Sequence, residues 1–438
     1  MSTAATSATR LLFEEACRYI PGGTSRVHYF HEPYPIYARS AAGCRVTDVD
    51  GVERLDFVNN MTSLIHGHAH PAIVAAIVRQ AQRGTAWSEP GEEEVHLARH
   101  LVERVPSIEQ VRFGNSGTEN VMLAVKLARE FTGRHRIAKF EGFYHGYYDY
   151  VQVSVKSAPT AWGPETAPVS TPNSGGLSPE VLGEVLTVPF NNLDVVERLL
   201  DQHGHEIACF LVDPLASQAG SPIPDPGFLD RLTALTRHHG IVLVYDEIVS
   251  FRLGYAGGQE RYGGTPDLTT LGKIMGGGLP VGAVGGRAEI MQLLDPRGGG
   301  PRVLSGGTFS ANPLTMVAGL VAMEHYTRAE VDRLNTLGAR VRAGMDDVFR
   351  RHGEALCAGG DGSFARILGG DRPPRTYREF AASSAVASRR IAGLHAALLD
   401  EGVIITRAGT ACLSTPMGDA EVEAFLAALD RAVVRTRT

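Results

Sequence analysis

The sequence predicts an α/β protein with a large, mostly parallel sheet and a smaller α+β part. From about residue 70 onward, helical patterns alternate with short apolar runs, which is typical of an α/β layer. Two of these runs, 207–212 and 241–245, are almost continuously apolar, as expected for parallel strands buried on both faces. A chain of 438 residues is long enough for one large domain and a smaller one.

The N-terminal segment, residues 1–65, is predicted to contain antiparallel strands. Residues 11–20 favour a short helix. The runs 35–39 and 44–51 alternate apolar with polar residues, and the second run ends in Asp50-Gly51, which is a strong hairpin signal.

Residues 66–325 are predicted to form the large domain. The stretch 157–178 is rich in Pro, Ser, Thr and Gly, which indicates a long surface excursion. The predicted elements of this domain are strands at 110–113, 136–140, 207–212 and 241–245, with helices at 229–239 and 313–325.

Residues 326–438 predict a compact α+β domain at the C-terminal end. Its predicted elements are a helix at 330–351, a strand at 357–368, a helix at 383–400, a strand at 403–406 and a helix at 419–435.

Composition excludes several classes of protein. The net charge of -6 offers no basic surface for nucleic acid, and no polybasic run favours a membrane surface. No apolar run is long enough to span a bilayer, and the N-terminus lacks the apolar core of a signal peptide, so we expect a cytoplasmic protein. The five cysteines are scattered without CxxC pairing, which indicates reduced thiols.

Lys273 stands between the apolar run 268–271 and the glycine-rich stretch 276–278. An amine in such surroundings has few solvating neighbours and can act as a nucleophile. The other lysines are Lys126, Lys139 and Lys156, so nearly every positive charge is an arginine, which cannot form a Schiff base. The alternative is a solvated lysine on a loop.

Ser116-Gly117-Thr118 follows a predicted strand and opens a helix with apolar residues at helical spacing. Free N–H groups and the positive end of the helix dipole make such a position an anion site. The alternative is simple N-capping by Ser116.

Asp246 ends the strand 241–245, so its carboxylate is expected at the ligand-binding edge of the sheet. It can pair with a protonated ring nitrogen, although a helix cap is an alternative. Tyr144 and His145 follow another strand, and Tyr144 can stack on a flat cofactor. These features together indicate a site for pyridoxal phosphate: an anion site for the phosphate, an aromatic side chain that can stack on the ring, a carboxylate and a reactive lysine.

The chain resembles the class III aminotransferases of the fold-type I pyridoxal phosphate enzymes from Pro21 to Met417. Within that class it is most similar to the branch of glutamate-1-semialdehyde aminomutases and β-amino acid aminotransferases. The resemblance implies that the small domain combines the C-terminus with the N-terminal segment. The motifs that carry the resemblance are Asn115–Glu119, Phe140–Gly146, Gly272–Gly282 and Gly307–Pro313.

The resemblance also implies roles for individual residues. Lys273 would bind the cofactor covalently and move the proton, and Asp246 would hold the pyridinium. Tyr144 and Ile248 would cover the two faces of the ring. Asp213 stands where the family usually has glutamate. The other implied cofactor contacts are Ser116, Gly117, Thr118 and His145, with Thr308 supplied by the partner subunit of a homodimer that shares its active sites.

Two arginines are candidates for substrate binding. By resemblance to the β-amino acid aminotransferases, Arg407 would pair with a carboxylate and Arg26 would serve a second pocket. Ordinary surface salt bridges are the alternative for both. The run His66–His70 contains three histidines, but no Cys or carboxylate completes a ligand set nearby, so we predict no metal.

The resemblance favours an aminotransferase with a ping-pong mechanism. It would move the amino group of a β-amino acid, such as β-phenylalanine, to 2-oxoglutarate or pyruvate. Three alternatives stay open: glutamate-1-semialdehyde 2,1-aminomutase, another donor or reaction on the same cofactor, and a non-catalytic pyridoxal-binding protein.

Overall fold

The computed structural model describes residues 7–437, and this part of the chain contains three sheets. The strands are β1 (Ala38–Ala42), β2 (Arg45–Asp48), β3 (Glu53–Asp56), β4 (Gln110–Gly114), β5 (Arg136–Phe140), β6 (Val185–Val188), β7 (Ile207–Val212), β8 (Val242–Asp246), β9 (Leu268–Gly272), β10 (Gly282–Gly286), β11 (Leu356–Gly359), β12 (Phe364–Gly369), β13 (Val403–Ile404) and β14 (Thr410–Cys412).

The largest sheet of the described residues has seven strands in the order β4-β10-β9-β8-β7-β5-β6. The neighbours from β9 to β6 pair in parallel, and β10 runs antiparallel to both β4 and β9. The prediction of an α/β fold with a mostly parallel sheet is therefore confirmed. Because the other strands point the same way, their carboxyl ends meet along one edge, where ligands bind in open α/β sheets.

Helices flank this sheet and close its core. The side chains of β7 alternate between two apolar cores: Cys209 and Leu211 face one, and Phe210 and Val212 face the other. Within residues 7–437 the right-handed helices are α1 (Ala8–Ala16), α2 (Pro71–Arg83), α3 (Glu92–Arg104), α4 (Gly117–Thr132), α5 (Pro179–Gly183), α6 (Leu193–His203), α7 (Phe228–His238), α8 (Gly258–Tyr262), α9 (Ala288–Met291), α10 (Pro313–His325), α11 (Arg328–His352), α12 (Tyr377–Asp400) and α13 (Asp419–Arg435).

The two ends of the chain share a small sheet. β3 pairs with β2 through the predicted turn at Asp50-Gly51, and its other edge runs parallel to β13. The sheet β1-β2-β3-β13 therefore combines N-terminal and C-terminal residues. This pairing supports the division into residues 1–65, 66–325 and 326–438, which we keep as a proposal.

Two local predictions are wrong. The single strand expected at 357–368 is a hairpin, in which β11 and β12 pair antiparallel around a turn with Gly360 and Gly362 at φ of +97° and +54°. Glycine tolerates this left-handed backbone, so the apolar run can reverse there. The helix expected at 11–20 begins at Ala8 and ends at Ala16.

None of the helices in the described part of the chain combines the length and the apolar character needed to cross a bilayer.

Candidate active site

A cavity of about 380 Å³ lies at the carboxyl edge of the seven-stranded sheet, and we call it the edge cavity. Residues that follow β4, β5, β7, β8 and β9 line it. It brings together all the predicted site residues except Thr308, Arg26 and Arg407. Those that line it are Ser116, Gly117, Thr118, Tyr144, His145, Asp246, Ile248 and Lys273.

Lys273 directly follows β9 and has a left-handed backbone with φ of +48°. A non-glycine residue in this conformation stores strain, which is common at functional sites. Burial lowers the pKa of Lys273, and the nearby Asp246 and Asp213 carboxylates oppose that shift. The amine therefore loses its proton more readily than an exposed lysine and is available as a nucleophile.

Asp246 ends β8, and its carboxylate is fixed from several directions. Oδ2 lies 2.9 Å from Nδ1 of His145, and Oδ1 accepts the backbone N–H of Ile248 at 3.2 Å and the hydroxyl of Thr270 at 3.3 Å. Burial lowers the pKa of His145, so the neutral ring donates its Nδ1–H to the aspartate. The neutral His145 ring thus orients the Asp246 carboxylate through a hydrogen bond.

The amino end of α4 forms an anion site. Ser116 Oγ accepts the N–H of Glu119 at 3.2 Å, so the predicted N-cap is real, but its own proton is free to reach a ligand. The N–H groups of Gly117 and Thr118 belong to the first helical turn and have no partner within the helix. A Cβ on Gly117 would lie 2.3 Å from Cδ1 of Ile248, so only glycine allows Ile248 to approach this closely.

Tyr144 and Ile248 both line the edge cavity, as expected for residues that cover a flat ligand. Tyr144 is half-buried and meets the Tyr147 ring edge-on, with the ring centroids 5.9 Å apart. Burial raises the pKa of the Tyr144 phenol, so the ring presents a neutral face.

Asp213 follows β7 and also lines the edge cavity. Its Oδ1 accepts the backbone N–H of Leu215 at 2.9 Å. Burial raises the pKa of Asp213, and the Asp246 charge raises it further. Asp213 therefore takes up a proton more readily than an exposed aspartate, and in its protonated form it no longer attracts the charge of Lys273.

Arg26 and Arg407 line a second pocket of about 350 Å³, which we call the arginine pocket. It adjoins the edge cavity, because Asn60 and Met61 line both. Sequence reasoning missed these two residues. The Asn59-Asn60 pair is a weak signal for the left-handed backbone found there, because asparagine tolerates positive φ.

Thr308 lies away from the edge cavity of its own chain. It lines a surface cleft of about 760 Å³ together with Trp87, Leu304 and Phe309, which we call the outer cleft. The structure therefore does not bring Thr308 to Lys273 within one chain.

Both ring nitrogens of His66, in the run His66–His70, are hydrogen-bonded within the fold. His66 is hydrogen-bonded through Nε2 to the carbonyl of Ala322 at 2.8 Å and through Nδ1 to Oγ1 of Thr415 at 3.0 Å. No cluster of three or more metal-binding side chains occurs among the residues the structure describes.

The sequence model of the family "Aminotransferase class-III" matches residues 28–433. The chain belongs to this family. Among curated class-III relatives, the glutamate-1-semialdehyde 2,1-aminomutase of Methanothermobacter thermautotrophicus is 42% identical over 339 residues, covering 77% of this chain and 78% of the relative.

Solved class-III structures share the whole architecture. An omega-transaminase from Sphaerobacter thermophilus is 50% identical with a TM-score of 0.95, and each chain covers 98% of the other. A transaminase with pyridoxal phosphate bound is 36% identical with a TM-score of 0.89 over 97% of each chain. A β-phenylalanine aminotransferase from Variovorax paradoxus is 33% identical with a TM-score of 0.87, over 97% of this chain and 93% of that one.

Membership of the class-III family makes this chain a pyridoxal phosphate-dependent enzyme. The edge cavity fits that cofactor. The amino end of α4 suits a phosphate, Asp246 suits a protonated ring nitrogen, and Lys273 suits the aldehyde. Ile248 packs so closely against Gly117 that any larger residue at position 117 would displace it from its place beside the anion site.

Proposed function

We propose that this class-III aminotransferase moves the amino group of a β-amino acid, such as β-phenylalanine, to 2-oxoglutarate or pyruvate by a ping-pong mechanism. One observation carries the proposal. Arg26 and Arg407 share the arginine pocket beside the edge cavity, and within residues 7–437 no acidic side chain is paired with either. Unpaired guanidinium groups in a pocket are binding sites for carboxylates.

The lining of the arginine pocket also suits an apolar substituent. Phe30, Ile36 and Ile405 line it together with the two arginines. A β-amino acid carries its amine on the carbon that bears the side chain, one carbon away from the carboxylate. A substrate with an aromatic side chain and a carboxylate can therefore use both kinds of surface.

In this proposal, bound pyridoxal phosphate supplies the aldehyde that takes up the amino group and later releases it. The Nζ of Lys273 moves the proton at the amine-bearing carbon, which its lowered pKa favours. Asp246 holds the proton on the ring nitrogen through its carboxylate. Ser116, Gly117 and Thr118 hold the phosphate at the amino end of α4.

We also propose a homodimer that shares its active sites, with Thr308 reaching the phosphate of the partner. The outer cleft supports this arrangement, because Leu304 and Phe309 beside Thr308 are 79% and 61% exposed. Apolar side chains exposed together mark a contact surface. The position of Thr308 outside the edge cavity of its own chain agrees with a role in a second copy.

Glutamate-1-semialdehyde 2,1-aminomutase activity is the second candidate, because the curated relative with 42% identity carries that name. Its substrate also has a carboxylate, so the arginine pocket does not separate the two activities. The need for an acceptor distinguishes the two activities. An aminomutase isomerises one compound, whereas a transaminase needs an added 2-oxo acid to complete its cycle.

The absorbance spectrum of the holoenzyme tests the proposal. Addition of 3-amino-3-phenylpropionate alone should convert the bound cofactor to its aminated form, and pyruvate or 2-oxoglutarate should reverse the change. The second candidate would replace the first if this β-amino acid left the spectrum unchanged and the enzyme isomerised glutamate 1-semialdehyde without an added 2-oxo acid.

A further inference from the structure

Residues 59–62 form a left-handed turn between the edge cavity and the arginine pocket. Asn59, Asn60, Met61 and Thr62 have φ of 49°, 49°, 53° and 76° in succession. Such backbone costs on the order of 1–3 kcal/mol for each non-glycine residue and persists where the surroundings impose it. Asn59 Nδ2 donates to the carbonyl of Cys412 at 2.8 Å, and Arg252 Nη1 donates to the carbonyl of Thr62 at 3.4 Å.

The turn directs the Asn60 amide toward Arg26. Asn60 Oδ1 accepts Nη1–H of Arg26 at 2.7 Å and the hydroxyl of Tyr29 at 3.0 Å. The amide orientation is fixed from the other side, because Asn60 Nδ2 donates to Oγ of Ser63 at 3.0 Å. The Arg26 guanidinium also lies over the Tyr29 ring, 4.1 Å from its centroid.

This arrangement holds Arg26 without neutralising it. Asn60 and Tyr29 are uncharged, and among the described residues Arg26 Nε and Nη2 have no hydrogen-bond partner. An acidic residue at position 60 would instead form an ion pair with the guanidinium and compete with a substrate for it. A neutral acceptor fixes the position of Arg26 and leaves its charge and its free N–H groups for a ligand.

We propose that Asn60 is a positioning residue that determines specificity for donors with a carboxylate. It acts through Arg26, whose guanidinium it holds in the arginine pocket, and Asn60 itself also lines the edge cavity. The inference rests on the proposed function, and it names one residue on which recognition of the carboxylate depends. Tyr29 contributes the ring under Arg26 and a second hydrogen bond to the same Asn60 oxygen.

Binding of 3-phenylpropionate to the holoenzyme tests the inference without turnover, because this compound has the carboxylate and the ring but no amine. Asn60→Asp keeps the size of the side chain and ties up Arg26, so calorimetry should show about a 10–100-fold weaker Kd. Asn60→Gly keeps the left-handed backbone and removes the amide. We expect a smaller loss of about fivefold, because Arg26 becomes mobile.

A double-mutant cycle shows whether Asn60 acts through Arg26. Arg26→Gln should weaken 3-phenylpropionate binding about as much as Asn60→Asp, and the double variant should lose little more than either single variant. Asn192→Asp is the matched control, because it makes the same amide-to-carboxylate change at the N-cap of α6, outside both cavities. Kinetics give a second readout: the ratio of kcat/KM for 3-amino-3-phenylpropionate to that for 1-phenylethylamine should fall in Asn60→Asp.

Two results would overturn the inference while leaving the proposed function intact. One is an Asn60→Asp enzyme whose Kd for 3-phenylpropionate stays within about twofold of wild type. The other is a double variant in which the two losses add fully, since a merely structural role at position 60 predicts additivity. A wild-type holoenzyme that neither binds 3-phenylpropionate nor reacts with the β-amino acid would instead remove both proposals.

Discussion

His145 Nδ1 lies 2.9 Å from Asp246 Oδ2, and both side chains are buried at the edge of the seven-stranded sheet. Burial lowers the pKa of His145, so the ring stays neutral and serves as a donor. A neutral partner orients the Asp246 carboxylate without taking up its charge. The carboxylate is therefore held in an orientation that suits a protonated ring nitrogen in the edge cavity.

Asp246→Asn keeps the shape of this side chain and removes the charge. A hydrogen bond to a charged group is stronger than one between neutral groups, so we expect the Kd for pyridoxal phosphate to rise about 10–100-fold. Fluorescence titration of the apoenzyme measures it. Glu197→Gln is the control, because it removes an exposed carboxylate from α6. An unchanged Kd in Asp246→Asn would mean that Asp246 does not hold the ring nitrogen.

Lys273→Ala removes the amine of a residue that lines the edge cavity. We expect loss of turnover by at least about 10³-fold and loss of the covalent absorbance band of the bound cofactor. The exposed Lys156 serves as the control, since Lys156→Ala should keep both properties. Retained activity in Lys273→Ala would refute the assignment of Lys273.

Gly117→Ala places a Cβ 2.3 Å from Cδ1 of Ile248. Overpacking of this size costs about 1–3 kcal/mol, which we expect as weaker cofactor binding, since Ile248 or the amino end of α4 must shift. Ile248→Val removes the clashing Cδ1, so the double variant should recover most of the lost affinity. No recovery in the double variant would show that Gly117 serves the phosphate for a reason other than its contact with Ile248.

Shared active sites predict complementation between inactive variants. Lys273→Ala and Thr308→Asp should each be inactive, the second because its charge repels the phosphate. Co-expression should restore about a quarter of wild-type activity, because about half of randomly assembled dimers are mixed and each mixed dimer has one intact site.

The control for complementation is co-expression of Lys273→Ala with the Lys273→Ala/Thr308→Asp double variant, which leaves no intact site in any dimer. The activity of each mixture is measured on its dimer fraction, isolated by size. Absence of activity in the mixture of Lys273→Ala with Thr308→Asp would mean that Thr308 does not act in the partner's site.

We expect the folded protein to lose stability in acid because His66 is buried. Burial lowers its pKa from the ordinary 6.5 to about 4. Between pH 6.5 and 4 the unfolded chain binds a proton at His66 and the folded chain does not. The folded state therefore keeps its full stability above pH 6.5 and loses stability as the pH falls toward 4. The loss is about 3 kcal/mol. His66→Gln keeps a donor for the Ala322 carbonyl, so urea unfolding across this pH range should show a shallower dependence.

Part of the large sheet was predictable, because four of its seven strands have local signals, whereas β6, β9 and β10 were not predicted. Strands 136–140 and 207–212 begin and end where the sequence predicts. Residues 207–212 are a continuous apolar run, and 136–140 combines apolar residues with Arg136 and Lys139. Asp246 could be placed at the ligand-binding edge because it follows a predicted strand, whereas Lys273 was assigned to the same site from its apolar and glycine-rich neighbours and from the family resemblance.

The left-handed turn was not predictable, because nothing in the local preferences of Met61 or Thr62 favours positive φ. Distant groups impose it: Arg252 binds the carbonyl of Thr62, and Asn59 binds the carbonyl of Cys412. The bond between Arg26 and Asn60 joins residues 34 positions apart for the same reason. Sequence reasoning selected the arginine but could not find the side chain that holds it.

The pairing of β3 with β13 sets an order for folding in the cell. Leu55 and Val403 are register partners in this sheet. The sheet of the N-terminal strands therefore cannot close until nearly the whole chain has left the ribosome. The large sheet can assemble during synthesis. Arg26 and Asn60, which flank β1 to β3, can reach their final surroundings only after residues 404–407 of the arginine pocket have been synthesised.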